Sequence, residues 1–199
     1  MNIPKLLILT RLCFAPIILF TAFIYGENAV PCIILLMYIG LLTDIFDGII
    51  ARQQNISNEK LRRFDSQTDM LFWLSIGIST WILRGELLAE NRVGIWTILI
   101  MEVLCYVISF VKFKKETCTH AILSKIWGIT LLVAFTALLG FNKAGIYYYL
   151  CVIIGFIAHL DVILIILILP EWTHDVPSSI HAWKIRKGIE IKRNKLFNG

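Results

Sequence analysis

Val30-Pro-Cys-Ile-Ile-Leu-Leu-Met-Tyr-Ile-Gly-Leu-Leu-Thr-Asp44-Ile-Phe-Asp47-Gly48-Ile-Ile-Ala51-Arg52 is an apolar run that closes on two aspartates and an arginine. A helical run of about 20 apolar residues matches the hydrocarbon thickness of a bilayer and is far longer than a buried strand. Outward from it, runs of the same kind lie at about 8–25, 66–83, 93–111, 121–140 and 146–169. With 30–51 they predict six transmembrane helices. The composition agrees: of 199 residues 58% are hydrophobic and 17% charged, with mean hydropathy +0.76, which argues against a soluble globular domain. The expected fold is all-α and integral to the membrane: a six-helix domain over 1–170 with a short N-terminal juxtamembrane segment, then a basic tail over 171–199.

The shortest predicted connections, Gly26 to Ala29 and Phe141 to Gly145, carry Gly and Asn, which tolerate tight-turn backbone. Pro16 falls inside the first span and is expected to kink it. Arg11 interrupts the first apolar run and no small-residue cleavage site follows, so that run reads as mature structure rather than a signal peptide. Cys13, Cys32, Cys105, Cys118 and Cys151 are scattered, which fits neither a disulfide framework nor a metal knuckle.

Lys5, Arg11, Arg52, Lys60, Arg62, Arg63, Lys112, Lys114, Lys115, Lys184, Arg186, Lys187, Lys192, Arg193 and Lys195 would all fall on one side of a six-span layout, leaving Arg84, Arg92 and Lys143 opposite and Lys125 inside the fifth span. An excess of Lys and Arg marks the cytoplasmic side, so both termini and the two basic loops are expected there. The net charge of +5 is thus a loop bias and does not call for a nucleic-acid partner.

Asp44 and Asp47 end one predicted span, and Asp65 and Asp69 begin its antiparallel neighbour. Spacings of three and four residues place each pair on one helix face, and two such faces can converge on a common centre. Carboxylates so close to the membrane interior repel each other and lose hydration, and persist only with compensating cations or protons. Mg²⁺ and Mn²⁺ suit oxygen ligands and bridge substrate phosphates, so the cluster predicts a phosphate-bearing substrate. The alternative is that individual aspartates cap helices or pair with Arg52, Arg62 and Arg63. Gly48 and Ala51 beside the acids allow close approach of a flat group or a second helix.

This segment resembles the signature of the CDP-alcohol phosphatidyltransferase family, D-x2-D-G-x2-A-R-x8-G-x3-D-x3-D, filling seven of its eight defined positions with Asp44, Asp47, Gly48, Ala51, Arg52, Asp65 and Asp69. Leu61 stands where the family's second glycine is expected, a position associated with close approach of the cytidine nucleotide. The resemblance implies transfer of a phosphatidyl group from a CDP-alcohol such as CDP-diacylglycerol to an acceptor hydroxyl, releasing CMP. By the same resemblance Asp44, Asp47 and Asp65 hold two divalent ions, Mg²⁺ or Mn²⁺. Asp69 joins the metal site and acts as general base, Gly48 and Ala51 line the cytidine pocket, and Arg52 orients the acids or anchors its helix end. A homodimer is also implied; the Lys and Arg distribution puts the active site on the cytoplasmic face, of the cytoplasmic membrane if the source is bacterial.

Asn2-Ile-Pro-Lys-Leu-Leu-Ile-Leu-Thr-Arg11 resembles the opening of phosphatidylglycerophosphate synthases, with Ile8 in place of a threonine. Ser124-Lys125 resembles an element near the acceptor phosphate in related enzymes, and a lysine is a point charge suited to phosphate, although it can equally snorkel to the interface. Arg11, Lys125 and the basic loop together favour an anionic acceptor such as glycerol 3-phosphate over a neutral one, with serine, inositol phosphate and phosphatidylglycerol as alternative acceptors.

Asp161, near His159 in the last span, is expected to partner Lys125, shape the acceptor pocket or serve structure alone. His120, His174 and His181 lack metal-site spacing. Trp73, Trp81, Trp96, Trp127, Tyr147, Tyr148, Tyr149 and Trp172 read as lipid-facing or interfacial anchors. Ser178 to Phe197 mixes apolar and basic residues, as a helix lying on anionic lipid does, or as a basic tail. A divalent-cation transporter would also place acids in the membrane, but near mid-bilayer and in corresponding halves. An inactive relative that keeps the fold is the third reading, and Leu61 is its only hint.

Overall fold

In the computed structural model, residues 2–54, 56 and 58–189 are described. Residues 190–199 of the predicted basic tail lie outside them. Among the described residues the chain is helical, with no strand. Its elements are α1 (Ile3–Tyr25), a 3₁₀ turn (Gly26–Ala29), α2 (Val30–Gln53), α3 (Glu59–Leu83), α4 (Gly85–Glu90), α5 (Arg92–Phe113), α6 (Ile122–Phe141), α7 (Gly145–Ile168) and α8 (Ser179–Arg186).

Four stretches are long and apolar enough to cross a membrane: Ile3–Gln53, which contains both α1 and α2, and then α5, α6 and α7. The chain is accordingly an integral membrane protein. Helix α3 is not among the four, because its first half carries Glu59, Lys60, Arg62, Arg63, Asp65 and Asp69.

Local sequence explains most element ends. A proline in the first turn of α1 and of α2 sits where its missing N–H leaves nothing unsatisfied. Pro16 lies inside α1, which continues through it. Helix α3 starts seven residues earlier than the apolar run predicts, because the side chain of Asn58 accepts the Leu61 N–H at 2.9 Å and caps the charged first turn.

The chain divides into two compact units. The first comprises residues 1–92 and 131–149, and its core is Ile18, Ala22, Ala29, Ile33, Met37, Phe72, Ile76 and Leu139. Gly40 of α2 lets the Phe72 ring of α3 lie against the backbone, since a Cβ there would meet three ring carbons. Arg84, which ends α3, pairs with Glu27 and donates to the Leu139 carbonyl at 2.9 Å. Tyr148, read from the sequence as a lipid-facing or interfacial anchor, is buried, and its hydroxyl donates to the Asn91 carbonyl at 2.6 Å. Trp73 likewise turns inward and stacks on Phe135, whereas Trp81, Tyr147 and Tyr149 are exposed.

The second unit comprises residues 93–130 and, among the described residues, 150–189, with Cys105, Ala121, Val162, Ile165, Ile166, Leu169, Val176 and Ala182 as its core. Lys112 of α5 donates to the carbonyls of Ile166, Leu167 and Leu169 at 2.9, 2.8 and 2.7 Å, so the last turn of α7 receives its hydrogen bonds from a neighbouring helix. Within the apolar interior, His159 Nε2 lies 2.7 Å from a Glu102 carboxylate oxygen and Nδ1 lies 2.6 Å from the Gly155 carbonyl. The Trp127 ring packs edge-on against that imidazole. All five cysteines are free thiols.

Candidate functional site

Three helices of the first unit meet at the four aspartates. Asp44 and Asp47, one turn apart near the end of α2, face Asp65 and Asp69, one turn apart on α3. Carboxylate oxygens of Asp44, Asp47 and Asp65 all lie within 4.8 Å of one another, close enough to hold one metal ion. Asp69 stands beside this triad rather than within it. Asp47 and Asp65 are almost fully buried, whereas the side chains of Asp44 and Asp69 keep 34% and 28% of their exposure. One face of the cluster is therefore open to an incoming group.

The fifth member is Arg11, from α1. Its guanidinium Nη1 lies 3.2 Å from Asp44 and 3.1 Å from Asp47, Nη2 donates to Asp65, and Nε lies 2.8 Å from Asp69. Arg11 is fully buried and touches all four acids. A planar fork of N–H donors suits such convergence on carboxylates where the compact ammonium of lysine does not. Sequence reading had set Arg11 toward an anionic acceptor. The signal for its actual place is thermodynamic: a lone arginine inside an apolar helix requires buried counter-charge, and these acids supply it.

Arg52 and Arg62 complete the surroundings. Both are buried. The Arg52 guanidinium lies over Gly48: a Cβ at Gly48 would stand 3.3 Å from Arg52 Nη1 and 3.7 Å from Arg62 Nη1. Arg62 Nη1 is also 3.8 Å from Asp65. The sequence singled out Arg62 only as an ion-pair partner, yet it shares the Gly48 floor with Arg52. Ala51, buried beside Gly48, keeps this floor shallow. Leu61, in the first turn of α3, is partly buried and commits its N–H to the Asn58 cap. Arg63 turns away to Glu59 at 3.7 Å.

Chemically, the site sets hard oxygen donors next to a patch of guanidinium groups. The donor set fits Mg²⁺ or Mn²⁺, which take carboxylate oxygen, and the neighbouring arginines suit phosphate oxygens. The remaining predicted residues fall elsewhere. Lys125 is exposed in the first turn of α6, in the second unit. Asp161, in the same unit, accepts the backbone N–H of Ser179 at 3.0 Å and so caps α8.

Comparison with known proteins agrees with the signature. Over 72 residues the chain is 36% identical to the CDP-diacylglycerol–glycerol-3-phosphate 3-phosphatidyltransferase of Aquifex aeolicus (strain VF5). That stretch covers 36% of this chain and 39% of that protein, so the match spans about two-fifths of the relative's length. No solved structure matches. The profile of the CDP-alcohol phosphatidyltransferases matches residues 1–169, and with that match over most of its length the chain belongs to the CDP-alcohol phosphatidyltransferase family.

Proposed function

We propose that the protein transfers a phosphatidyl group from CDP-diacylglycerol to glycerol 3-phosphate, releasing CMP, in a metal-dependent step of phospholipid synthesis. The observation that carries this reading is the convergence of Asp44, Asp47 and Asp65 within 4.8 Å, with Asp69 beside them and the Gly48 floor under two arginines. The choice of acceptor draws on the Aquifex relative, named for glycerol 3-phosphate, and on the N-terminal resemblance.

In the proposed reaction the acceptor hydroxyl oxygen forms a bond to the phosphorus that carries diacylglycerol, and the bond from that phosphorus to the oxygen retained by CMP breaks. Asp69 is the proposed base, taking the hydroxyl proton, and its partial exposure leaves it reachable. Asp44, Asp47, Asp65 and Asp69 would hold two divalent ions, which offset charge on the diphosphate and stabilise the leaving group. Gly48 and Ala51 give the cytidine moiety close approach to the α2 backbone. Arg52 and Arg62 bind phosphate oxygens and hold the diphosphate in line. The proposed role of Lys125 toward the acceptor phosphate rests on the resemblance alone.

Six membrane crossings, with both termini and the active site on the cytoplasmic side, belong to the same proposal. They rest on the distribution of Lys and Arg and count α3 as a span despite its charged first half. A homodimer is proposed from the family alone. The deciding experiment is CMP release by purified protein with CDP-diacylglycerol and Mg²⁺ or Mn²⁺. Glycerol 3-phosphate, serine, inositol phosphate and phosphatidylglycerol are supplied in parallel. Release dependent on glycerol 3-phosphate is expected; dependence on another acceptor reassigns the product, and silence with all four in folded protein overturns the reading.

A further inference from the structure

Helix α8 is a short element that the proposed chemistry does not use, and the second unit holds it firmly. Asp161 Oδ1 of α7 accepts the Ser179 N–H at 3.0 Å, and Ala182 is fully buried with Val176 in the core of that unit. The connecting segment is pinned as well. The Val176 N–H donates to the Thr119 carbonyl at 2.8 Å, the Ile122 N–H to the Pro177 carbonyl at 3.0 Å, and the Trp172 indole to the Glu116 carbonyl at 2.8 Å. Asp161 precedes the end of α7 by seven residues, so α8 starts roughly 10 Å short of that end, at about 1.5 Å of rise per residue.

The face turned away from the core is amphipathic. Ile180 is 65% exposed and Trp183 48% exposed, positions i and i+3 on one side, and the Lys187 ammonium sits 3.8 Å from the Trp183 ring centroid. Lys184 and Arg186 flank them. Across residues 112–125 and 169–189 the chain carries Lys112, Lys114, Lys115, Lys125, Lys184, Arg186 and Lys187 against Glu116, Glu171 and Asp175. We infer that α8 is an interfacial helix that docks on anionic lipid, with Trp183 and Ile180 entering the acyl boundary while Lys184, Arg186 and Lys187 bind lipid phosphates. The charge excess selects an anionic surface over a zwitterionic one, and the indole flanked by cations is the side-chain pattern of a membrane interface.

The test uses the full chain reconstituted in vesicles of phosphatidylcholine and phosphatidylglycerol, with either lipid brominated to quench nearby indoles. Subtracting the emission of Trp183→Phe from that of the native chain isolates Trp183. The expected result is quenching of Trp183 about threefold or more stronger by brominated phosphatidylglycerol than by brominated phosphatidylcholine, with the preference lost in high salt. The preference should also vanish in K184Q/R186Q/K187Q with Trp183 retained. Equal quenching by both lipids, or none by either, overturns the inference; the latter would leave this face to a soluble partner. The salt series needs only the native chain and Trp183→Phe, so the test stays decisive should K184Q/R186Q/K187Q fold poorly.

Discussion

Arg11 Nε lies 2.8 Å from Asp69 Oδ1, which joins the first helix of the chain to the proposed general base on α3. The same guanidinium reaches Asp44, Asp47 and Asp65, so one cation offsets part of the charge of a cluster that otherwise repels itself. Arg11→Ala is expected to lower stability in EDTA by about 3–5 kcal/mol, the usual consequence of removing one partner from a buried ionic network. Added Mn²⁺ should raise the melting temperature of the variant more than that of the native protein. Thermal unfolding in detergent with and without metal checks this, and an unchanged melting temperature in EDTA would show that the acids do not depend on Arg11.

Asp69→Asn separates chemistry from metal binding. The triad of Asp44, Asp47 and Asp65 survives the change, so Mn²⁺ should still bind, weakened only at the ion that Asp69 shares, while CMP release should fall by roughly 10²-fold or more, as loss of a general base entails. Asp47→Asn should reverse the order and weaken Mn²⁺ binding first. Normal turnover by Asp69→Asn would remove that residue from the base role.

Two glycines of α2 are expected to respond differently to alanine. At Gly40 the new Cβ runs into the buried ring of Phe72, and overpacking of this kind costs about 1–3 kcal/mol, readable as a lower melting temperature. At Gly48 the nearest atoms are guanidinium nitrogens at 3.3 and 3.6 Å, the movable ends of long side chains. Gly48→Ala should leave stability nearly unchanged and raise the KM for CDP-diacylglycerol. Equal loss of stability at both positions would contradict the assignment of Gly48 to the substrate floor.

Leu61→Gly restores the residue that the family signature carries. The Asn58 cap uses the backbone N–H and so persists, and the helix should lose about 0.5–1 kcal/mol. Binding of CDP-diacylglycerol should tighten or stay the same. A large loss of binding would mean that Leu61 has a contact of its own with the lipid.

The readable part of the site was the part encoded at short range. Asp44 with Asp47, and Asp65 with Asp69, announce shared helix faces through spacings of three and four, and the apolar runs around them announce a membrane. Arg11 was not placed because its partners are contributed by two other helices, and helical periodicity says nothing about which helices meet. Arg62 and Arg52 look like ordinary interfacial cations in sequence; burial beside a residue without a side chain is a tertiary fact. The early start of α3 was hidden because its first turns are held by a cap and charge rather than apolar periodicity, and Tyr148 turned inward because a backbone carbonyl waits for its hydroxyl. The short α4 has too few residues to show any period.

Asp161 is buried, and one of its oxygens is answered by the first amide of α8. A truncation ahead of Ser178 would therefore strip a carboxylate in the protein interior of its donor and remove Ala182 and Ile185 from the core of the second unit. The C-terminal segment works as a plug for the last membrane helix, and shortened versions of this chain should extract from membranes as less stable proteins.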